Sequence, residues 1–306
     1  MQTDRTHTST LLRTNIVVPG SISNLGPGFD ALSVAVQLYL RARIVDVMPD
    51  EPDTIAWEFV GGGPAGENRI ESAYRLARTR AGVPAPGLRV QVSSDIPQTA
   101  GLGSSAAAAI AGLRLYEAVT APRPAEDLLA MATEIEGHPD NAAAALLGGI
   151  TVSCQREDGR IVARSSRWPE AVGLVVATPE VGLKTSRARQ VLPGEVSLAD
   201  AIFNLQRALL FVHALRSGRY DDLREAMKDR WHQPARAALV PGLAEAIAFD
   251  DPGVLGVCLS GAGPSIVALV TDGAARAAAL LEDLYKRLGL ACAIRTLSAH
   301  QPFDSP

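Results

Sequence analysis

Apolar and polar positions change rhythm several times along the chain, and each rhythm predicts an element. Residues 15–19 (NIVVP) and 35–47 (AVQLYLRARIVDV) are rich in β-branched side chains, and the second run alternates apolar with polar positions as a half-buried strand does. Residues 49–53 are turn-like. Residues 67–80 place Ile70, Ala73, Leu76 and Ala77 at helical spacing, and Gly82, Pro84 and Pro86 end that helix. Residues 88–92 (LRVQV) alternate again, a glycine loop follows, and residues 106–119 carry no breaker except Gly112. A helix over 126–136 enters through Pro124 and stops at Gly137, and an alanine-rich helix opens at His138-Pro139-Asp140-Asn141 and ends at Gly148-Gly149. Strands are predicted at 150–154, 172–177, 254–259, 266–270 and 292–296, with helices at 198–216, 221–228 and 274–288.

Strands mixed with helix pairs, without strict βαβα alternation, predict an α+β fold. A length of 306 residues suggests two domains or one body with two lobes, and the composition shift near 178–195 places the boundary so that 1–180 and 181–306 form the two units. No repeat or low-complexity tract is present. The uncharged stretch 253–270 approaches membrane-spanning length, but Gly253, Gly256, Gly261, Gly263 and Pro264 interrupt it, so it reads as two buried strands joined by a glycine turn.

Hydrophobic residues at 47% and charged residues at 20% exclude a disordered or fibrous chain. A net charge of -4 argues against a nucleic-acid cleft while leaving room for a small anionic ligand held by backbone N–H groups. Cys154, Cys258 and Cys292 are odd in number and widely spaced, which fits neither a disulfide framework nor a zinc knuckle and predicts a reducing cytoplasm. The first residues lack the apolar region of an export signal.

The most informative stretch is Pro97-Gln98-Thr99-Ala100-Gly101-Leu102-Gly103-Ser104-Ser105-Ala106-Ala107. Gly101 and Gly103 permit close backbone approach to a phosphate, and Ser104 and Ser105 add hydroxyls at a helix N-terminus that favours an anion. It is not a Walker A loop, because no lysine follows. The same letters satisfy G-x-G-x-x-A, yet the strand and acid that a dinucleotide-binding unit needs after the helix are missing. A simple helix cap whose glycines allow tight packing is the bland alternative.

Three further segments join this loop in order: Ser23-Asn24-Leu25-Gly26-Pro27-Gly28-Phe29-Asp30, Glu136-Gly137-His138-Pro139-Asp140-Asn141 and Ser260-Gly261-Ala262-Gly263-Pro264-Ser265. Together with Thr185-Ser186-Arg187-Ala188-Arg189 and His232-Gln233-Pro234-Ala235-Arg236, the set resembles the homoserine kinase family of the GHMP superfamily of small-molecule kinases, over nearly the whole chain. One departure is Ile22-Ser23, where the family usually shows small alanine-rich residues; it removes no functional group.

The resemblance implies a two-lobed α+β architecture with the nucleotide between the lobes, ATP and Mg2+ as the reactive partners, and transfer of phosphate to the hydroxyl of L-homoserine for threonine synthesis. Pro97, Gly101, Leu102, Gly103, Ser104, Ser105, Ala106 and Ala107 would hold the nucleotide phosphates. Asn68 matches a position lining the nucleotide pocket, with a helix cap as the equal alternative. Ser105 (or Ser104) and Glu134 match the metal ligands best, and Glu136, two residues on, lies on a different helix face. Asn24 and Asp30 would meet the substrate ammonium, Arg189 and Arg236 its carboxylate, and His138 and Asn141 its hydroxyl, although His138 would also serve as a cap. Mevalonate-type relatives place an acid where this chain has Asn141, so the resemblance implies catalysis by positioning, without an obvious base. Dimers are common in the family, and neither nucleic acid nor membrane is an expected partner. Another small-alcohol kinase, acting on mevalonate or a sugar, and a silent nucleotide-binding relative are the alternatives.

Overall fold

The computed structural model describes residue 11 and residues 14–302. The first lobe holds β1 (Asn15–Ser23), β2 (Leu32–Met48), β3 (Ile55–Val60), α1 (Arg69–Ala81), β4 (Gly87–Ser94), α2 (Ser104–Val119), α3 (Ala125–Glu136), α4 (Asp140–Leu147), β5 (Ile150–Gln155) and β6 (Ile161–Ser166). Its six-stranded sheet runs β3-β4-β2-β5-β6, with β1 also paired to β2. The 17-residue β2 is the hub, because it is long enough to pair antiparallel with β1, β4 and β5 along different parts of its length. Its inward positions Val34, Val36, Leu40, Ala42 and Ile44 are buried, as the alternation in sequence predicts.

Helix α2 runs through the centre of this lobe, with most of its residues buried. The single glycine inside it is explained by α1: a Cβ on Gly112 would lie 2.1 Å from the Ile70 carbonyl oxygen, so only glycine lets the two helices approach. Tyr74 and Tyr116 meet edge to face beside that contact, with ring centroids 5.4 Å apart.

The second lobe holds β7 (Gly173–Pro179), α5 (Thr185–Gln190), α6 (Leu198–Ser217), α7 (Leu223–Ala226), α8 (His232–Arg236), α9 (Leu243–Ile247), β8 (Val254–Leu259), β9 (Ile266–Val270), α10 (Ala274–Arg287) and β10 (Cys292–Leu297). The sheet order is β10-β7-β9-β8, every pair antiparallel. Ala277, Leu281, Leu284 and Tyr285 form the buried stripe of α10. β7 lies inside this sheet, so the change of sheet falls within residues 167–172, ahead of the 180/181 division expected from composition. After β10 the chain returns to the first lobe, where Ala299 bridges to Val36 and Gln301 bonds Trp168 through both its amide oxygen and nitrogen.

Residues 221–228 do not form the single helix expected. A 3-10 turn (Tyr220–Asp222) leads into the one-turn α7, and the chain bends at Met227 to pack under two glycines. A Cβ on Gly26 would lie 2.5 Å from the Met227 carbonyl oxygen, and one on Gly256 would lie 2.6 Å from its sulfur.

Candidate active site

Three glycine-bearing loops meet between the lobes, and they are fastened chiefly to one another. In the first, Asn24, Leu25, Gly26 and Asp30 all take left-handed backbone conformations. Asn24 holds that shape: its Oδ1 accepts from the Asp30 amide at 3.0 Å, and its Nδ2 donates to the Gly261 carbonyl at 2.9 Å across to the second lobe. The side chain expected to meet a substrate thus braces the loop while also lining the cavity described below.

The glycine loop before α2 is clamped on both sides. The Ser21 amide donates to the Leu102 carbonyl at 3.0 Å, and Ser260 Oγ donates to the Gly101 carbonyl at 2.6 Å. Both glycines have positive φ, and both face protein at close range. A Cβ on Gly101 would lie 2.3 Å from the Ser260 carbonyl oxygen, and one on Gly103 would lie 2.2 Å from Ser21 Oγ. Packing against β1 and the 260–265 turn thus demands these glycines before any phosphate is considered. The third loop contains a cis Gly263-Pro264 bond and ties back through the Gly261 amide, which donates to the Ser23 carbonyl at 3.0 Å.

A cavity of about 320 Å³ opens where these loops meet. Its lining joins Pro97, Gly101 to Ala106 and Glu136 with Asp30, His138, Asp140, Asn141, Arg189 and Arg236, so most of the predicted site residues come together. A second cavity of about 290 Å³ shares Arg69, Thr99, Ser104 and Ser105 with the first and continues along Phe59, residues 62–70, Val92 and Ala108. Asn68 lines it and also caps α1, accepting from the Glu71 amide, so both readings of this residue hold geometrically. Ala107 is different: it is fully buried in the first-lobe core and lines neither cavity, because the third residue past the helix start turns inward on α2.

The two acids of α3 separate clearly. Glu136 Oε1 accepts from Ser105 Oγ at 2.6 Å at the rim of the first cavity. Burial pushes the Glu136 carboxyl upward, partly countered by the Ser105 bond and by His138 and Arg69. Glu134, the acid matched from sequence, instead pairs with Arg80 on the exposed outer face. The physical reason is helical phase: two residues are about 200° of helix, so one acid faces the loop and the other faces solvent. The carboxylate that faces the glycine loop is Glu136.

At the other functional groups, charge and hydrogen bonding are already matched. Arg189 grips Asp30 with both prongs, at 2.7 and 3.0 Å. Arg236 is 1% exposed and donates to the carbonyls of Ala188 and Gly261 and to His232 Nδ1. Desolvation and the nearby Arg189 lower its pKa to about 10, so it remains a cation at neutral pH. Both guanidinium groups stand over the Phe29 ring, 5.5 and 5.1 Å from its centroid. His138 Nδ1 lies 2.5 Å from Asp140 Oδ1; burial pulls the imidazole pKa down, and the Asp140 carboxylate more than offsets this, leaving it raised. Asn141 accepts from Ser21 Oγ at 2.8 Å and donates to Ser23 Oγ at 3.0 Å, which fixes the start of α4 against β1.

Phe29, Asp140, Lys184 and the pair His232 and Asp229 escaped the residue-by-residue reading. Asp140 and Phe29 sit inside the quoted motifs, whereas Lys184 lines the cavity from a loop with no sequence signal of its own. His232 is fully buried and bonds the Gly26 carbonyl through Nε2 at 2.6 Å. An arginine can only donate, so Nδ1 accepts from Arg236, Nε2 carries the hydrogen, and His232 is neutral.

The model of the GHMP kinases N terminal domain matches residues 68–149, and that of the GHMP kinases C terminal matches residues 211–286. The homoserine kinase of Thermus thermophilus is 41% identical over 260 residues, covering 84% of this chain and 87% of that protein. The chain belongs to the homoserine kinases of the GHMP family. The homoserine kinase of Moorella thermoacetica is 36% identical over 286 residues, covering 92% of this chain and 95% of that one. Among solved GHMP structures, the homoserine kinase of Cytophaga hutchinsonii superposes with a TM-score of 0.82 at 25% identity, over 94% of this chain and 95% of that chain. The mevalonate kinase of L. major, at a TM-score of 0.68 and 17% identity over 95% and 97% of the two chains, shares the two-lobed fold.

Proposed function

We propose that the protein transfers the γ-phosphoryl group of ATP to the side-chain hydroxyl of L-homoserine, giving O-phospho-L-homoserine for threonine synthesis. One observation carries this reading: two arginines and two carboxylates, Arg189, Arg236, Asp30 and Asp140, share one cavity with the serines of the glycine loop. An amino-acid acceptor carries both charges that such a set complements.

In this reading the ATP base occupies the second cavity and the phosphates lie over the N-terminus of α2, whose first-turn amides have no intrahelical partners. Arg69 and Lys184 add positive charge beside the loop. Ser105 and Glu136 suit Mg2+, because a hydroxyl and a carboxylate converging at 2.6 Å offer the hard oxygen ligands this ion takes alongside phosphates. When bound there, Mg2+ would neutralise phosphate charge and orient the transferred group.

Arg236 has its Nε and Nη1 tied to protein groups, and its Nη2, without a partner among the described residues, would take the substrate carboxylate with Arg189. Asp30 and Asp140 would receive the ammonium. The homoserine hydroxyl oxygen attacks the γ-phosphorus, the bond from that phosphorus to the oxygen bridging to the β-phosphate breaks, and the hydroxyl proton leaves to phosphate or water. Each cavity carboxylate already has a protein partner: Asp30 has Arg189, Glu136 has Ser105 and Asp140 has His138. Holding the reactants in line therefore supplies most of the rate. The cytoplasm fits the cysteine pattern and the supply of both substrates. Phosphorus NMR of the enzyme with ATP, Mg2+ and L-homoserine tests the reading: a phosphomonoester signal should grow with ADP, and ADP formation without that product would refute it.

A further inference from the structure

We propose that Asp229 is a positioning residue for substrate binding: its buried carboxylate is the fixed counter-charge of Arg236 and, through His232, holds that guanidinium ready for the substrate carboxylate. This role rests on the function proposed above. Asp229 lies in the bend between α7 and α8, and its side chain is 0% exposed. Oδ1 accepts from Asn204 Nδ2 at 2.6 Å and from the Trp231 amide at 2.8 Å, and Oδ2 accepts from the Gln233 amide at 2.7 Å. None of these donors can turn around. Two are backbone amides, and Asn204 is oriented by its own Oδ1, which accepts from the Arg230 amide at 3.0 Å. Both side-chain atoms at 229 must therefore accept, which an aspartate does and an asparagine does not.

All three donors are neutral, so hydrogen bonding satisfies the carboxylate without cancelling its charge, and a buried charge is costly unless an opposite one lies near. Arg236 has the complementary need. It is 1% exposed, and its hydrogen bonds go to two carbonyls and neutral His232, none of them to a carboxylate. Three carboxylates, Asp30, Asp229 and Asp140, favour its cationic form against burial and against Arg189. Asp30 is gripped by Arg189 and Asp140 is paired with His138, and both line the cavity where a substrate ammonium would draw on them. Asp229 is walled off from substrate and balances Arg236 whether the cavity is empty or filled. The link between the two is His232. Its Nε2 faces two acceptors, the Gly26 carbonyl at 2.6 Å and Asp229 Oδ2 at 3.4 Å, so the proton stays on Nε2 and Nδ1 offers its lone pair to Arg236 Nη1 at 3.2 Å. That bond, with those to the Ala188 and Gly261 carbonyls, fixes the guanidinium and leaves Nη2 for the substrate carboxylate.

With ATP saturating, Asp229→Asn should raise the KM for L-homoserine about tenfold, the effect of losing one charge-assisted contact, while kcat and the ATP KM stay near wild type. Turnover of 3-aminopropanol, an acceptor without a carboxylate, should be the same in the variant as in the wild type, because it makes no use of Arg236. In an Arg236→Leu background, Asp229→Asn should add nothing further to the homoserine KM. Asn204→Ala, which keeps the charge and removes one donor, should raise that KM about threefold, and it carries the test if Asp229→Asn does not fold. Equal losses for L-homoserine and 3-aminopropanol, an additive loss in the Arg236→Leu background, or a homoserine KM indifferent to both Asp229→Asn and Asn204→Ala would overturn the role of Asp229. A wild type that uses 3-aminopropanol as readily as L-homoserine would fail earlier, at the proposed carboxylate contact of Arg236, and would take this role with it.

Discussion

Glu134 and Glu136 differ by two positions on one helix and by everything that surrounds them. Glu136→Gln removes the carboxylate that accepts from Ser105 at the loop and should lower kcat by about a hundredfold or more, equivalent to roughly 2.7 kcal/mol of barrier. Glu134→Gln removes only an exposed ion pair with Arg80 and should leave steady-state kinetics near wild type. Reversed sensitivities would return the metal role to Glu134. Gly103→Ala, the smallest change available, should destabilise the fold by about 1–3 kcal/mol in denaturant titration, because a left-handed backbone would then carry a Cβ aimed at Ser21 Oγ. Unchanged stability would show that the loop relaxes without cost. Arg236→Leu should raise the homoserine KM about ten- to a hundredfold, since a charge-assisted contact contributes roughly 1.5–3 kcal/mol. It should also lower stability, because the carbonyls of Ala188 and Gly261 and His232 Nδ1 lose their donor. Measuring the melting temperature with both substrate KM values separates these effects: lost stability with an unchanged homoserine KM would remove Arg236 from substrate binding. Sequence offered this arginine as a grip for the substrate carboxylate but gave no view of its buried bonds to the carbonyls of Ala188 and Gly261, 48 and 25 positions away.

Elements with a strong rhythm were legible, and those whose shape depends on distant contacts were not. β8 (Val254–Leu259) and β9 (Ile266–Val270) stand where the apolar runs end at glycines, and α2 follows the glycine loop as expected. β3 escaped notice although Ile55, Trp57 and Phe59 alternate with exposed positions, because a six-residue edge strand beside a turn carries little signal. The chain from Tyr220 to Arg236 breaks into short turns because it is shaped by the first glycine loop, Met227 under Gly26 and His232 against the Gly26 carbonyl. The burial of His232 in that contact sets a pH dependence. Burial holds the His232 pKa below its ordinary value, so the unfolded chain binds a proton that the native protein refuses. The stability this neutral histidine contributes is present above about pH 6.5 and is lost as pH falls through the folded pKa. Melting temperature should therefore drop between pH 7.5 and 5.5, and His232→Gln, which keeps a donor for Gly26, should shallow that drop. An unchanged slope would show that other groups control acid stability.

At the scale of the whole molecule, the two sheets are joined by contacts that sequence distance hides. Asn24 reaches Gly261, Ser260 reaches the glycine loop, and the C-terminal segment returns to Val36 and Trp168. The division expected from composition places β7 in the first unit, whereas β7 pairs within the second sheet, since an apolar strand does not declare which sheet it will join. In the function proposed above, the cavity at the junction would recognise both charges of an amino acid while presenting its hydroxyl to ATP. The most direct measurement is kcat/KM by ADP release for L-homoserine beside 4-hydroxybutyrate, which lacks the ammonium, 3-aminopropanol, which lacks the carboxylate, and L-serine, mevalonate and galactose. L-Homoserine should exceed each single-charge analogue by at least tenfold, about 1.4 kcal/mol per lost contact, and exceed the remaining acceptors by more. Equal turnover of 4-hydroxybutyrate, or a preference for mevalonate or galactose, would contradict that function.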